Sequence, residues 1–198
     1  MDANYQQRRR FQAQETRRAI LAAAAQLSRQ GGFEKMTIRD VCAAAGVTTG
    51  AFYHHFSSKA DLLKQGFTSV DVYLEKALAP HRNLPPLKRL ESLVRLYARF
   101  MEEQGWETIS LYYSRRLTDA SSDPMDPDRY TLRTMRECLA DLSRERILSP
   151  ALSPEWTADF FFRHFRGIVI DWALHRGSYS LWPKLEQDYD LFTRSFQA

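Results

Sequence analysis

The sequence holds two cysteines, Cys42 and Cys138, in 198 residues. They are too few and too far apart for a zinc site or a disulfide framework, and two lone thiols fit a reducing cytoplasm. No apolar run approaches the roughly 20 residues that span a bilayer. The N-terminus is polar and basic, without the apolar core of a signal peptide. A cytoplasmic protein with no membrane partner is therefore expected. Also missing are a nucleophile motif, a metal-ligand spacing and a phosphate-cradling glycine loop. Their absence argues against an enzyme; no catalytic residue, metal or cofactor is expected.

What is present is ordinary in amount and uneven in placement. Hydrophobic residues make up 44% and charged residues 26%, as in a globular protein able to bury one larger or two small cores. Residues 1–65 hold ten Lys and Arg against five Asp and Glu, whereas the remainder holds 18 against 19. All of the basic excess lies in the first third of the chain. That is the electrostatic footprint of a small DNA-binding domain.

Within that third, Thr37 to Leu62 reads as two short helices joined by a tight turn, then the start of another. Thr37 is a good N-cap, and Ile38, Val41 and Cys42 share an apolar helical face. Ala43 to Ala45 allow close approach of a neighbouring helix, and Gly46 supplies the turn. Thr48 caps a second helix running to about His55. This is the helix-turn-helix pattern, whose second helix enters the major groove of double-stranded DNA. Thr48 and Thr49 place free N–H groups where a phosphate is favoured. Gly50 and Ala51 remove bulk, and Tyr53 and His54 offer donors to phosphate oxygens. Phe52 and Phe56 are expected to point inward. Ser57 or Ser58 caps the next helix, with Lys59 offering a cation to the DNA backbone. Thr37, Thr48, Thr49, Gly50, Ala51, Tyr53, His54 and Lys59 are the candidate DNA-binding residues.

The run Ala45-Gly46-Val47-Thr48-Thr49-Gly50-Ala51-Phe52-Tyr53-His54-His55-Phe56, with Thr37, Val41, Lys59, Leu62 and Leu63 around it, resembles the DNA-binding domain of TetR/AcrR-type transcriptional regulators. The likeness covers about residues 15–65. Cys42 departs from it, standing where the family usually has alanine, a difference of packing rather than contact. The resemblance implies an all-α homodimeric repressor that leaves its operator when a small molecule binds the C-terminal domain.

The expected organisation is a flexible basic arm over 1–12, a helix-turn-helix domain over 13–57, a connecting helix over 58–80 and a C-terminal ligand-binding and dimerisation domain over 81–198. Arg8-Arg9-Arg10 mark the arm, either solvated or ordered on DNA. A first helix runs from about Ala13 to Gln30, with Arg17 and Arg18 early on it, either within reach of the DNA backbone or ordinary surface arginines. The connecting helix carries Leu62, Leu63, Phe67, Val70 and Leu74 and ends at Pro80. In the family it links ligand occupancy to the spacing of the recognition helices. Further helices are expected from about Leu87 to Gln104, Trp106 to Leu117, Asp128 to Ile147 and Pro154 to Arg176, with a last one opening near Pro183. Residues 118–127 read as a loop.

The helix from Pro154 is apolar on more than one side and so must be covered on more than one side. With the last helix it resembles the pair that forms the family's four-helix dimer interface, and Phe165, Ile168, Trp172 and Phe192 are the candidate interface residues. Tyr97, Phe100, Met101, Trp106, Tyr112, Tyr113, Phe161 and His164 are candidates to line an apolar effector site with a few polar tips, although such aromatics also serve as plain core. Two functions compete: a repressor released by a small apolar or aromatic effector, and a DNA-bound protein that recruits a partner and has no small-molecule effector.

Overall fold

In the computed structural model the described residues are 3–33, 35–118, 123 and 125–197. They form helices and connecting turns with no strand among them, and no helix is long and apolar enough to cross a membrane. The chain divides into two compact units, residues 1–67 and 68–198.

The first unit contains α1 (Ala3–Gly31), α2 (Ile38–Ala45), α3 (Thr49–His55) and the start of α4 (Lys59–Leu78). Ile20, Ala23 and Ala24 of α1 are buried with Phe33, Met36, Val41, Cys42, Phe52, Phe56, Leu62 and Leu63. α1 begins at Ala3, ten residues before the expected start, so most of the segment expected to be a flexible arm is its first turns. Polarity kept that segment from the core but did not forbid a helix. Gln, Arg and Ala are good helix formers, and the Arg9 guanidinium lies 5.9 Å from the Tyr5 ring one turn away.

The second unit holds the rest of α4 with α5 (Pro86–Gln104), α6 (Trp106–Thr118), α7 (Tyr130–Arg144), α8 (Pro154–Leu174) and α9 (Leu181–Arg194). α5 packs on α6, α7 and α9, and α8 packs on α6, α7 and α9. Pro85 and Pro86 open α5 where no N–H is needed, and Gly105 closes it. The side chain of Phe67, residues 119–122 and 124 of the expected loop, and the first two residues of the expected arm lie outside the described residues. After α8 the chain reverses at Gly177, whose φ is +66°. A Cβ there would meet Trp172 at 3.2 Å and Trp106 at 3.3 Å. Glycine is thus needed at this position for backbone and for space.

Candidate nucleic-acid interface

The geometry of the helix-turn-helix follows from its caps. Thr37 Oγ1 accepts from the Asp40 amide at 3.2 Å, and Asp40 Oδ2 accepts from the Thr37 amide at 2.8 Å. This reciprocal capping box satisfies two donors that a helix start leaves open. The Thr37 hydrogen bonds hold the Asp40 carboxyl below its ordinary pKa. α2 stops at Gly46, in the left-handed region at φ +67° and ψ +32°, with the Val47 amide turning back to the Cys42 carbonyl at 3.0 Å. Two residues later Thr48 Oγ1 accepts from the Ala51 amide at 3.1 Å and starts α3.

α3 has two opposite faces. Phe52 and Phe56 are fully buried, their ring centroids 5.5 Å apart. Thr48, Thr49, Gly50, Tyr53 and His54 are exposed, Tyr53 by 57%. Residues 49, 50, 53 and 54 are spaced to share one helical face. Ala51 is half-buried, and Thr37 is exposed at the start of α2. The result is a short helix clamped from behind by two phenylalanines, presenting hydroxyls, a phenol and an imidazole. His55, half-buried beside them, has its pKa lowered by burial and by the nearby charges of His54 and Arg17.

Three residues expected near the DNA backbone have partners within the chain. The Lys59 ammonium lies 4.8 Å from the centre of the Phe33 ring, a cation–π contact that holds it near the start of α4. Arg17 donates to Gln65 Oε1 at 3.2 and 2.9 Å and sits 5.7 Å from the Phe56 ring, while Arg18 pairs with Glu15 at 2.7 Å. Gln65 in turn donates to Asp61, whose other oxygen accepts from the Ser57 amide at 2.9 Å. This chain from α1 to the α4 cap was missed in the sequence because Arg17 and Gln65 are 48 positions apart.

The candidate effector residues divide into groups. Tyr97, Phe100 and Met101 are buried, and Tyr97 lies close to Tyr113, which meets Tyr112 edge-on at 5.2 Å. Phe100 packs at 5.2 Å from Tyr73. Three others are placed elsewhere. Phe161 stacks on Phe192 of α9 at 4.3 Å, and His164 is at the surface with Nε2 3.3 Å from Asp188. Trp106 stands with Trp172 beside Gly177. Helical spacing put them on candidate faces without saying which neighbour each face meets.

The candidate dimer residues need a similar correction. Phe165, Ile168 and Trp172 are buried within their own chain, and the Trp172 indole donates to the Tyr179 carbonyl at 2.8 Å. Phe192 is half-buried between Phe160 and Phe161. The exposed apolar face of α8 is the other one: Trp156 (55% exposed), Phe160, Ile170 and Leu174 (77%), with Leu191 on α9. Gly167 lies on it with open space where a Cβ would be.

A capped helix-turn-helix with a polar exposed recognition helix defines a DNA-binding protein of the helix-turn-helix class. The family model for bacterial regulatory proteins, tetR family, matches residues 20–65, which covers α2, α3 and the start of α4. The chain is 32% identical over 115 residues to the HTH-type transcriptional repressor BepR of Brucella suis, spanning 55% of this chain and about half (54%) of that one. It is 26% identical over 196 residues to the HTH-type transcriptional regulator TtgR of Pseudomonas putida, spanning 92% of each. The crystal structure of FadR from Bacillus subtilis in complex with stearoyl-CoA has the same fold, with a TM-score of 0.67 at 14% identity over 88% of this chain and 96% of that one. Residues 20–65 thus carry the DNA-binding domain of the tetR family of bacterial regulatory proteins, and the chain is similar over most of its length to HTH-type transcriptional regulators.

Proposed function

We propose that the protein is a homodimeric repressor that reads a palindromic operator with α3 and leaves it when a small apolar or aromatic effector binds the second unit. The observation that carries the reading is the two-faced α3, with Phe52 and Phe56 buried and Thr48, Thr49, Gly50, Tyr53 and His54 exposed. Phosphate contacts from Tyr53, His54 and the start of α3 fix the helix in the groove, and its small residues let it approach base edges. The repressor BepR and the stearoyl-CoA-bound FadR support repression and an effector by likeness.

Pairing of two chains through the exposed face of α8 and α9 would cover Trp156, Phe160, Ile170, Leu174 and Leu191, and would use the open space at Gly167. A palindromic operator requires two recognition helices about 34–36 Å apart, one turn of DNA, which a two-fold symmetric dimer can supply. The effector acts by population shift, binding the DNA-incompetent arrangement more tightly than the competent one. A second reading, recruitment of another protein, is favoured by the same exposed aromatics, since Trp156 and Phe160 stack openly at 5.4 Å. Sedimentation separates the two: the first expects a dimer of the purified chain and two chains on a palindromic duplex, whereas a monomer in both favours recruitment.

A further inference from the structure

The second unit contains a polar cluster set in an apolar wall. Asp71 on α4 accepts from Arg129 Nε at 2.9 Å through Oδ2, and from the Thr131 amide at 3.1 Å and the Thr131 hydroxyl at 2.8 Å through Oδ1. Arg129 stands at the N-cap of α7 and gives it no side-chain cap, so a carboxylate 60 positions before Thr131 satisfies the first turn. Both members of the ion pair are mostly buried, with side chains 25% and 19% exposed. Beside them lie Tyr97 and Tyr113, close enough to perturb one another, and burial raises the pKa of both phenols, with Arg129 and Arg166 near enough to oppose that rise. The Arg166 guanidinium lies 5.1 Å from the Phe162 ring, which meets Tyr97 edge-on at 6.3 Å.

The structure therefore displays what this cluster binds: a carboxylate, held by three donors of α7 and bordered by phenols and aromatic rings. We propose that Arg129 and Thr131, with Tyr97 and Tyr113 beside them, form the seat for the anionic head of the effector, an organic carboxylate with an apolar body, and that Asp71 occupies this seat when the effector is absent. The inference rests on the reading of the chain as an effector-responsive DNA-binding protein. Asp71 competes as an intramolecular ligand at high effective concentration. A bare charge would lose that competition, so the effector needs apolar contacts as well, and Phe100, Tyr73 and Phe162 supply them. Its arrival detaches Asp71 from α7. Asp71 lies ten residues along the same helix from Asp61, the residue that closes the α4 cap.

Acetate tests the seat directly. The full-length Asp71→Ala variant should gain melting temperature with sodium acetate, saturably and beyond equal sodium chloride, while wild type and the D71A/R129Q double variant should not. A gain no larger than that of wild type, or equal with chloride, overturns the proposal. Should D71A fail to fold, Asp71→Asn keeps the shape and should bind dodecanoate about tenfold tighter than wild type by calorimetry; equal affinity overturns it. On a duplex selected for binding, dodecanoate should release wild type at about tenfold lower concentration than 1-dodecanol. Equal potency, or release by neither, overturns it. If no duplex is bound at all, the DNA reading fails while the acetate measurement still reports on the seat.

Discussion

Phe52 and Tyr53 are neighbours on α3 with opposite roles, and substituting each separates stability from recognition. Phe52 is fully buried and packs edge-to-face on Tyr53 at 5.4 Å and against Phe56 at 5.5 Å. Phe52→Ala removes a whole core ring and should destabilise by about 3–5 kcal/mol. For a unit of this size about 4 °C or more is lost per kcal/mol, so the transition of the first unit should fall by at least about 12 °C. Tyr53 is 57% exposed, so Tyr53→Phe keeps the ring contact and should change stability by less than about 0.5 kcal/mol. It removes the hydroxyl, and a hydrogen bond to a charged phosphate contributes about 1.5–3 kcal/mol. Duplex affinity should then fall at least about tenfold, across all sequences alike, because a phosphate contact positions rather than specifies. Calorimetric melting and fluorescence anisotropy on one duplex measure the two effects. Unchanged affinity for Tyr53→Phe with a normal melting curve would refute the assignment of the α3 outer face to DNA, and an unchanged transition for Phe52→Ala would refute the core.

Three further outcomes are expected. Ile170→Glu with Leu174→Glu should shift the chain toward monomer by sedimentation at unchanged helicity, whereas Trp172→Ala should instead lower the melting temperature, because Trp172 is already covered by its own chain. Gly177→Ala should destabilise by about 1–3 kcal/mol, since its Cβ meets two tryptophans and its φ is strained for alanine; a neutral result in thermal melting would contradict the described turn. The His55 pKa is lowered in the folded protein, so the unfolded chain binds that proton more readily. Its contribution is present above about pH 6.5 and is lost as pH falls through that value toward the folded pKa, so His55→Gln should flatten the pH dependence of stability between about pH 7 and 5. Equal slopes for the two proteins would exclude His55 as its source.

The helix-turn-helix was legible because its signals are local. Thr37, Gly46, Thr48 and the Phe52/Phe56 pair each act within four residues, and a cap or a left-handed turn can be read from such a span. What the sequence did not reveal depends on contacts made at a distance. α8 has apolar residues on both faces, and no periodicity says that Phe165, Ile168 and Trp172 meet their own chain while Ile170 and Leu174 meet solvent. That Phe161 meets Phe192 and His164 meets Asp188 was hidden for the same reason. Asp71, capping α7 across 60 positions, leaves no sequence pattern at all. The start of α1 was hidden differently, since a polar segment without apolar periodicity can still be helical when its residues are good helix formers.

The most direct test of the central claim is selection of bound duplexes from a random DNA pool with the purified full-length protein at a fixed salt concentration. A dimeric regulator reading DNA through α3 predicts a palindrome whose half-sites lie about one helical turn apart. Recovery of no preferred sequence, with binding that vanishes as salt rises, would leave only non-specific electrostatic attraction and would contradict the account.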